Sequence, residues 1–284
     1  MPILAVLAAV VLQSGVGDGC GANVRVDAEP ARPRQGTLFQ VRVSGVTPDA
    51  SLSGVASGEA LHFSIDGSSA RSLAAAPIDS TSVEVVVECS LGAVAVTKRV
   101  TVPLSPGAYR MERLKVAPRF SAKPDSALEA RQRREAGLAA AVSTQAHGTP
   151  RLWTTPFAAP RASRITSRFG GGREFNGTVT SRHMGTDYAG ATGAPIRAVN
   201  RGVVRLVDDF YLGGKVVYVD HGAGLVTAYL HMSSQRVAVG DTVNRGTVLG
   251  SVGATGRVTG PHLHLIIRYG SISVDPESLL PKPK

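Results

Sequence analysis

Residues 259 to 269 read TGPHLHLIIRY, and they set the character of the last third of the chain. The turn formers Thr259-Gly260-Pro261 introduce a run from His262 to Tyr269 that is rich in apolar and branched side chains and stops at Gly270, the pattern of a buried β-strand. Alternate side chains of a strand point to opposite faces, so His262 and His264 share one face while Leu263 turns to the other. Two imidazoles side by side can share a metal site.

Working outward, strands of the same kind are expected at Pro195 to Val207, Lys215 to Asp220, Leu225 to Leu230 and Thr247 to Val252. Residues 150–284 therefore read as a glycine-rich antiparallel β domain. Residues 20–104 carry shorter alternating runs, Leu38 to Val43, Leu61 to Ile65, Ser82 to Val87 and Ala93 to Val96, punctuated by Pro30, Pro33, Pro48 and Pro77. This spacing predicts a small immunoglobulin-like β-sandwich, in which His62 stands alone in a strand pattern. Residues 105–149 form a linker. Its stretch Ser126 to Ala141, SALEARQRREAGLAAA, predicts a helix over about 126–141, N-capped by Ser126 with Glu129 three residues on. Arg131, Arg133 and Arg134 read as a solvated face of that helix. The fold class is mainly β.

The 284 residues include 32 Gly and 17 Pro with 5% aromatics, which disfavours an all-helical bundle, and 43% hydrophobics disfavour disorder throughout. The net charge of +10 is uneven: residues 22–104 hold 7 basic and 8 acidic groups, residues 150–284 hold 16 and 8. A basic C-terminal half attracts nucleic acid, anionic lipid or an anionic wall polymer alike. No RNP-like motif, basic–aromatic interleaving or zinc-finger spacing is present, which counts against nucleic acid. The apolar run Ile3 to Leu12 is too short to span a bilayer of ~30 Å and has the length of a signal-peptide core. Residues 1–19 accordingly read as a leader, and the chain as exported to the periplasm, cell envelope or medium with no transmembrane segment in its mature part. Cys20 and Cys89 then read most simply as a disulfide. Lipidation of Cys20 is the alternative, although Val16-Gly17-Asp18-Gly19 matches a lipobox poorly.

Five of the seven histidines, His183, His221, His231, His262 and His264, lie beyond residue 180. His183 and Asp187 are four apart, but Gly185 and Tyr188-Ala189-Gly190 argue for a loop or bulged strand rather than a helix. Two imidazoles and one carboxylate suit zinc and leave a fourth position open for water. H-x-H and H-x-x-x-D are each common by chance, and only their combination carries weight.

These residues sit in a longer series. Ile165-Thr166-Ser167-Arg168-Phe169-Gly170, Ser181-Arg182-His183-Met184-Gly185-Thr186-Asp187-Tyr188, Gly193-Ala194-Pro195-Ile196-Arg197-Ala198, Val219-Asp220-His221-Gly222, Thr227-Ala228-Tyr229-Leu230-His231-Met232-Ser233, Val239-Gly240-Asp241-Thr242-Val243 and Thr255-Gly256-Arg257-Val258-Thr259-Gly260-Pro261-His262-Leu263-His264 occur in order. With them, residues 151 to about 280 closely resemble the M23 (lysostaphin-like, LytM) zinc metallopeptidases of bacterial peptidoglycan. The resemblance implies one zinc per chain on His183, Asp187 and His264, with a zinc-held water as nucleophile and His231 and His262 as the unligated catalytic pair. In that scheme His262 is placed to move the proton and His231 to hydrogen-bond the developing oxyanion, although sequence does not read which of the two does which, and His221 is structural. It implies an exported endopeptidase acting on peptidoglycan cross-links, most simply D,D-bonds; the N-terminal domain is open to three roles, blocking the site, docking on the wall or binding a regulatory protein. The alternative is a non-hydrolytic LytM module that binds peptidoglycan or activates a cell-wall amidase. A biotinyl or lipoyl carrier domain is excluded, because no lysine sits at a suitable hairpin tip.

One departure matters. Members that cut glycine bridges have a tyrosine upstream of the first ligand, where this chain has Arg173-Glu174-Phe175-Asn176-Gly177. Stem-peptide cross-links are therefore expected over pentaglycine, with Arg168, Arg173 and Arg182 as candidate partners of a substrate carboxylate.

Overall fold

The computed structural model describes residues 20–281 apart from 22 and 178; the apolar run Ile3 to Leu12 lies outside the described residues. Alternation decides the first layer. Leu38–Ser44 and Ser82–Leu91 bury every second residue, and each belongs to a four-stranded sheet. Val41, Val43, Ala70 and Ala74 of one sheet meet Val83, Val85 and Val87 of the other in a single core, giving two sheets face to face. The strand expected at Leu61 to Ile65 is broken. Glu59–Ala60 belongs to one sheet and Ser64–Asp66 to the other, so the chain between them crosses the sandwich and cannot stay in either ladder.

Cys20 and Cys89 are disulfide-bonded across a sequence separation of 69, and both are buried in that core. Replacing Cys89 by Ala should cost the sandwich about 2–4 kcal/mol while leaving His183, Asp187 and His264, which lie in the other layer, in place. Denaturant titration of the oxidised protein, with metal content measured in parallel, checks both halves of this statement.

Asp125, not Ser126, caps the helix: its carboxylate accepts from the Leu128 amide at 2.8 Å. The helix spans Ser126–Gln145, four residues beyond the expected end, because Val142 and Ala146 still pack on Phe210, Tyr218 and Val226 of the large sheet. Arg131 is not merely solvated. It donates to buried Glu135 at 2.6 Å, and Glu135 also accepts from the Tyr211 amide. Among the described residues no helix is long and apolar enough to cross a membrane.

The C-terminal layer is a ten-stranded antiparallel sheet in which Thr186–Ala189, His262–Tyr269, Leu225–Gln235 and Gly214–Gly222 are successive neighbours. The strand expected over Pro195 to Val207 is two: Pro195–Arg197 pairs with Val248–Val252, and Gly202–Phe210 pairs with Gly214–Gly222. Asn200 makes the break, accepting from the Arg201 amide and donating to the Thr155 carbonyl, both at 2.8 Å. The segment read as a linker also contributes a strand, Met111–Leu114, which pairs in parallel with Gly172–Phe175.

His62 is not alone. It contacts His147 Nδ1 at 2.8 Å, and His147 Nε2 donates to Glu59 at 2.9 Å. Glu59 in turn accepts from the Ser271 amide at 2.8 Å. This chain of contacts joins the sandwich, which supplies Glu59 and His62, to the segment after the helix and to the large sheet.

Candidate active site

Strand register brings the first pair together. Thr186–Ala189 runs antiparallel to His262–Tyr269, with Asp187 opposite His264 and Ala189 opposite His262. Since the period is two, His262 and His264 both face the side to which Asp187 points. Leu263 turns away and is fully buried. On the other flank His264 lies opposite Leu230, which places His231 at the same end of the sheet.

His183 arrives from outside the ladder, and Gly185 allows it. A Cβ there would meet the Leu265 carbonyl oxygen at 2.4 Å and the His264 ring at 2.7 Å, so no larger residue lets the chain turn so tightly from His183 into Asp187. His183 Nδ1 donates to the Arg168 carbonyl at 2.8 Å, which leaves Nε2 with a lone pair. That Nε2 is 3.0 Å from Asp187 Oδ1 and 2.9 Å from His264 Nδ1, and Asp187 Oδ1 is 2.7 Å from His264 Nδ1. All three ligating atoms lie within 4.8 Å of one another, and all three residues are buried.

Burial would raise the pKa of Asp187, but the adjacent His183 and His264 rings outweigh it and hold the carboxyl well below the usual range. Burial likewise pushes His264 down to about 4 against the pull of Asp187. The result at neutral pH is a buried carboxylate between two buried, neutral imidazoles. Such a set is short of a cation, and its two nitrogens and one oxygen match the donors zinc takes.

The second oxygen of Asp187 is held by residues that sequence reasoning missed in this role. Arg173 donates to Asp187 Oδ2 at 2.6 Å, to Ser167 Oγ at 3.0 Å and to Glu112 at 3.2 Å, and Ser167 donates to Glu112 at 2.9 Å. Glu112 comes from the strand Met111–Leu114, so the linker supplies a support of the cluster. The stretch without a tyrosine, Arg173 to Gly177, thus delivers Arg173. The available signal was an arginine beside two acidic groups, which sequence alone does not connect.

His231 and His262 stand next to the cluster, their ring centres 5.0 Å apart. Each is anchored through Nδ1, His231 donating to the Thr255 carbonyl at 2.8 Å and His262 to the Gly260 carbonyl at 2.9 Å. Each neutral ring therefore presents an Nε2 lone pair. His262 Nε2 is 3.7 Å from Asp187 Oδ1, beyond direct hydrogen bonding. Burial first, then the neighbouring His264 and His262, push His231 down to about 3. Its φ of +63° is uncommon for a residue with a side chain. His221 is elsewhere: fully buried, it donates to the Arg201 carbonyl at 2.7 Å and contacts Thr227 Oγ1 at 2.9 Å, which accounts for both ring nitrogens.

Residues 181–276, which hold all of this cluster, match the family model described as Peptidase family M23. The chain carries an M23 peptidase domain. The M23 region is 39% identical over 97 residues to peptidoglycan DD-endopeptidase ShyC of Vibrio cholerae, covering 34% of this chain and 22% of that protein. It is 42% identical over 103 residues to DD-carboxypeptidase/endopeptidase Mpg of Neisseria meningitidis, covering 36% of this chain and 24% of that protein. The match thus spans less than a quarter of the length of these curated relatives. A solved structure of a candidate M23 peptidase from Pseudomonas aeruginosa is similar over 87% of this chain and 94% of its own, with 25% identity and a TM-score of 0.66. That likeness takes in the sandwich as well as the M23 domain.

Proposed function

We propose that this chain is an exported zinc endopeptidase that hydrolyses D,D cross-links between peptidoglycan stem peptides. The observation that carries the reading is the convergence of three ligating atoms beside two imidazoles whose Nε2 lone pairs are both free. The names of the M23 relatives support the substrate class. In this reading residues 1–19 are a leader, 20–104 a separate sandwich domain, 105–149 the linker and 150–284 the peptidase domain.

His183 Nε2, Asp187 Oδ1 and His264 Nδ1 would hold one zinc per chain. When bound, zinc supplies Lewis acidity, lowering the pKa of water towards ~7 and polarising a carbonyl. The protein's own residues do the rest. His262, the more exposed of the pair, accepts the proton of the attacking water at Nε2 and returns it to the leaving amine. His231, kept neutral by burial and with its N–H spent on Thr255, accepts a hydrogen bond and orients the water; a donor role towards an oxyanion would need a second proton on that ring. Arg173 keeps Asp187 Oδ1 aimed at the other two ligands by occupying Oδ2.

Digestion of a D,D-cross-linked muropeptide dimer, with mass analysis of the products, tests the reading. Cleavage at the cross-link is expected, with loss on chelation and recovery on adding zinc. The dimer should be cut faster than pentaglycine at equal concentration and stated salt. A dimer that binds but stays uncut would favour the non-hydrolytic module, and faster cleavage of pentaglycine would refute the D,D preference alone.

A further inference from the structure

The three arginines that the sequence offers to a substrate carboxylate are already paired. Arg168 is bonded to Glu277, Arg182 to Asp79 at 2.8 Å, and Arg173 to Asp187 and Glu112. Arg257 differs from all of them. Its guanidinium lies 4.0 Å over the ring of buried Phe175, and among the described residues it makes no ion pair and no side-chain hydrogen bond.

Its position is fixed by the backbone. The Arg257 amide donates to the Leu212 carbonyl at 2.9 Å, and Gly256, at φ +74°, sits so close to this turn that a Cβ would meet Leu212 O and Gly214 N at 2.4 Å. Arg257 lines two adjoining hollows. One of about 330 Å³ is shared with His262 and Asp187, and the other of about 170 Å³ with His231 and His264. Burial, and then the charge of Arg173, work against its charged form. A guanidinium nonetheless stays protonated in proteins, so this corner of the cleft holds a cation lacking its anion.

We propose that Arg257 is the receptor for a free carboxylate of the substrate, selecting cross-linked peptides that carry one close to the scissile bond. The inference rests on the peptidase reading above and adds the chemical feature by which the cleft tells substrates apart. A guanidinium held over an aromatic ring and bonded to no other side chain has N–H groups to give to two parallel bonds to a carboxylate, which a carboxamide cannot accept equally well.

The test uses the zinc-loaded full chain and D,D-cross-linked dimers in which each stem carboxylate is converted in turn to a carboxamide. Wild type should show a kcat/KM about tenfold or more lower on one amidated dimer than on the free acid. In Arg257→Gln that ratio should fall to near one, with zinc content as in wild type. Equal rates for wild type on every dimer, or a ratio that survives in Arg257→Gln, would overturn the proposal. If wild type cuts none of the dimers, the peptidase reading fails, and calorimetric binding of the same dimers decides the question for Arg257. Carboxylate-dependent binding lost in Arg257→Gln supports it, and binding that ignores the carboxylate, or no binding, overturns it.

Discussion

Zinc and turnover are expected to disappear together in His264→Ala. His264 Nδ1 is 2.7 Å from Asp187 Oδ1 and 2.9 Å from His183 Nε2, so its removal leaves two of three ligating atoms and opens a buried site to water. Loss of a supporting partner around a metal typically costs 10–100-fold in affinity or activity, and loss of a ligand itself should exceed that. Metal analysis per chain, with rates on the cross-linked dimer, reads both quantities. Full zinc occupancy in the variant would show that His264 is not a ligand.

His262→Ala and His231→Ala are expected to separate the two quantities. Neither ring contributes an atom to the three-ligand cluster, so zinc content should stay near that of wild type. Turnover should nevertheless fall on the order of a hundredfold or more, the usual consequence of removing a proton-transfer group. His231, which burial pushes down to about 3, should leave no limb of the pH–rate profile near neutrality, so His231→Ala should lower the rate without moving the profile there. A variant that loses its metal would fail this expectation and move that histidine among the ligands.

These expectations draw on two kinds of information. The alternation of His262, Leu263 and His264 is visible in sequence because the strand period acts between nearest neighbours, and the strand His262–Tyr269 has the expected bounds. The same holds for Gly185, whose place between His183 and Asp187 signals a tight turn before its neighbours are known. The helix end at Gln145 was not visible, because packing of Val142 and Ala146 on a distant sheet, rather than helix propensity, carries it that far. His62 misled for a related reason: its partner His147 lies 85 residues away and on a different element.

By itself, then, the sequence determined what neighbouring residues decide: the mainly β character, the pairing of imidazoles on one strand face, the glycine turns and the order of motifs that marks the M23 domain. Tertiary structure alone decided which charges are satisfied. Asp187 meets His264 across 77 residues, Arg173 meets Glu112 across 61, and Arg257 lies over Phe175 with no ion pair among the described residues. The physical reason is range. Side-chain alternation and turn chemistry act over a few residues, whereas ion pairing and desolvation depend on strand register and burial, which exist only once segments remote in the chain have packed together.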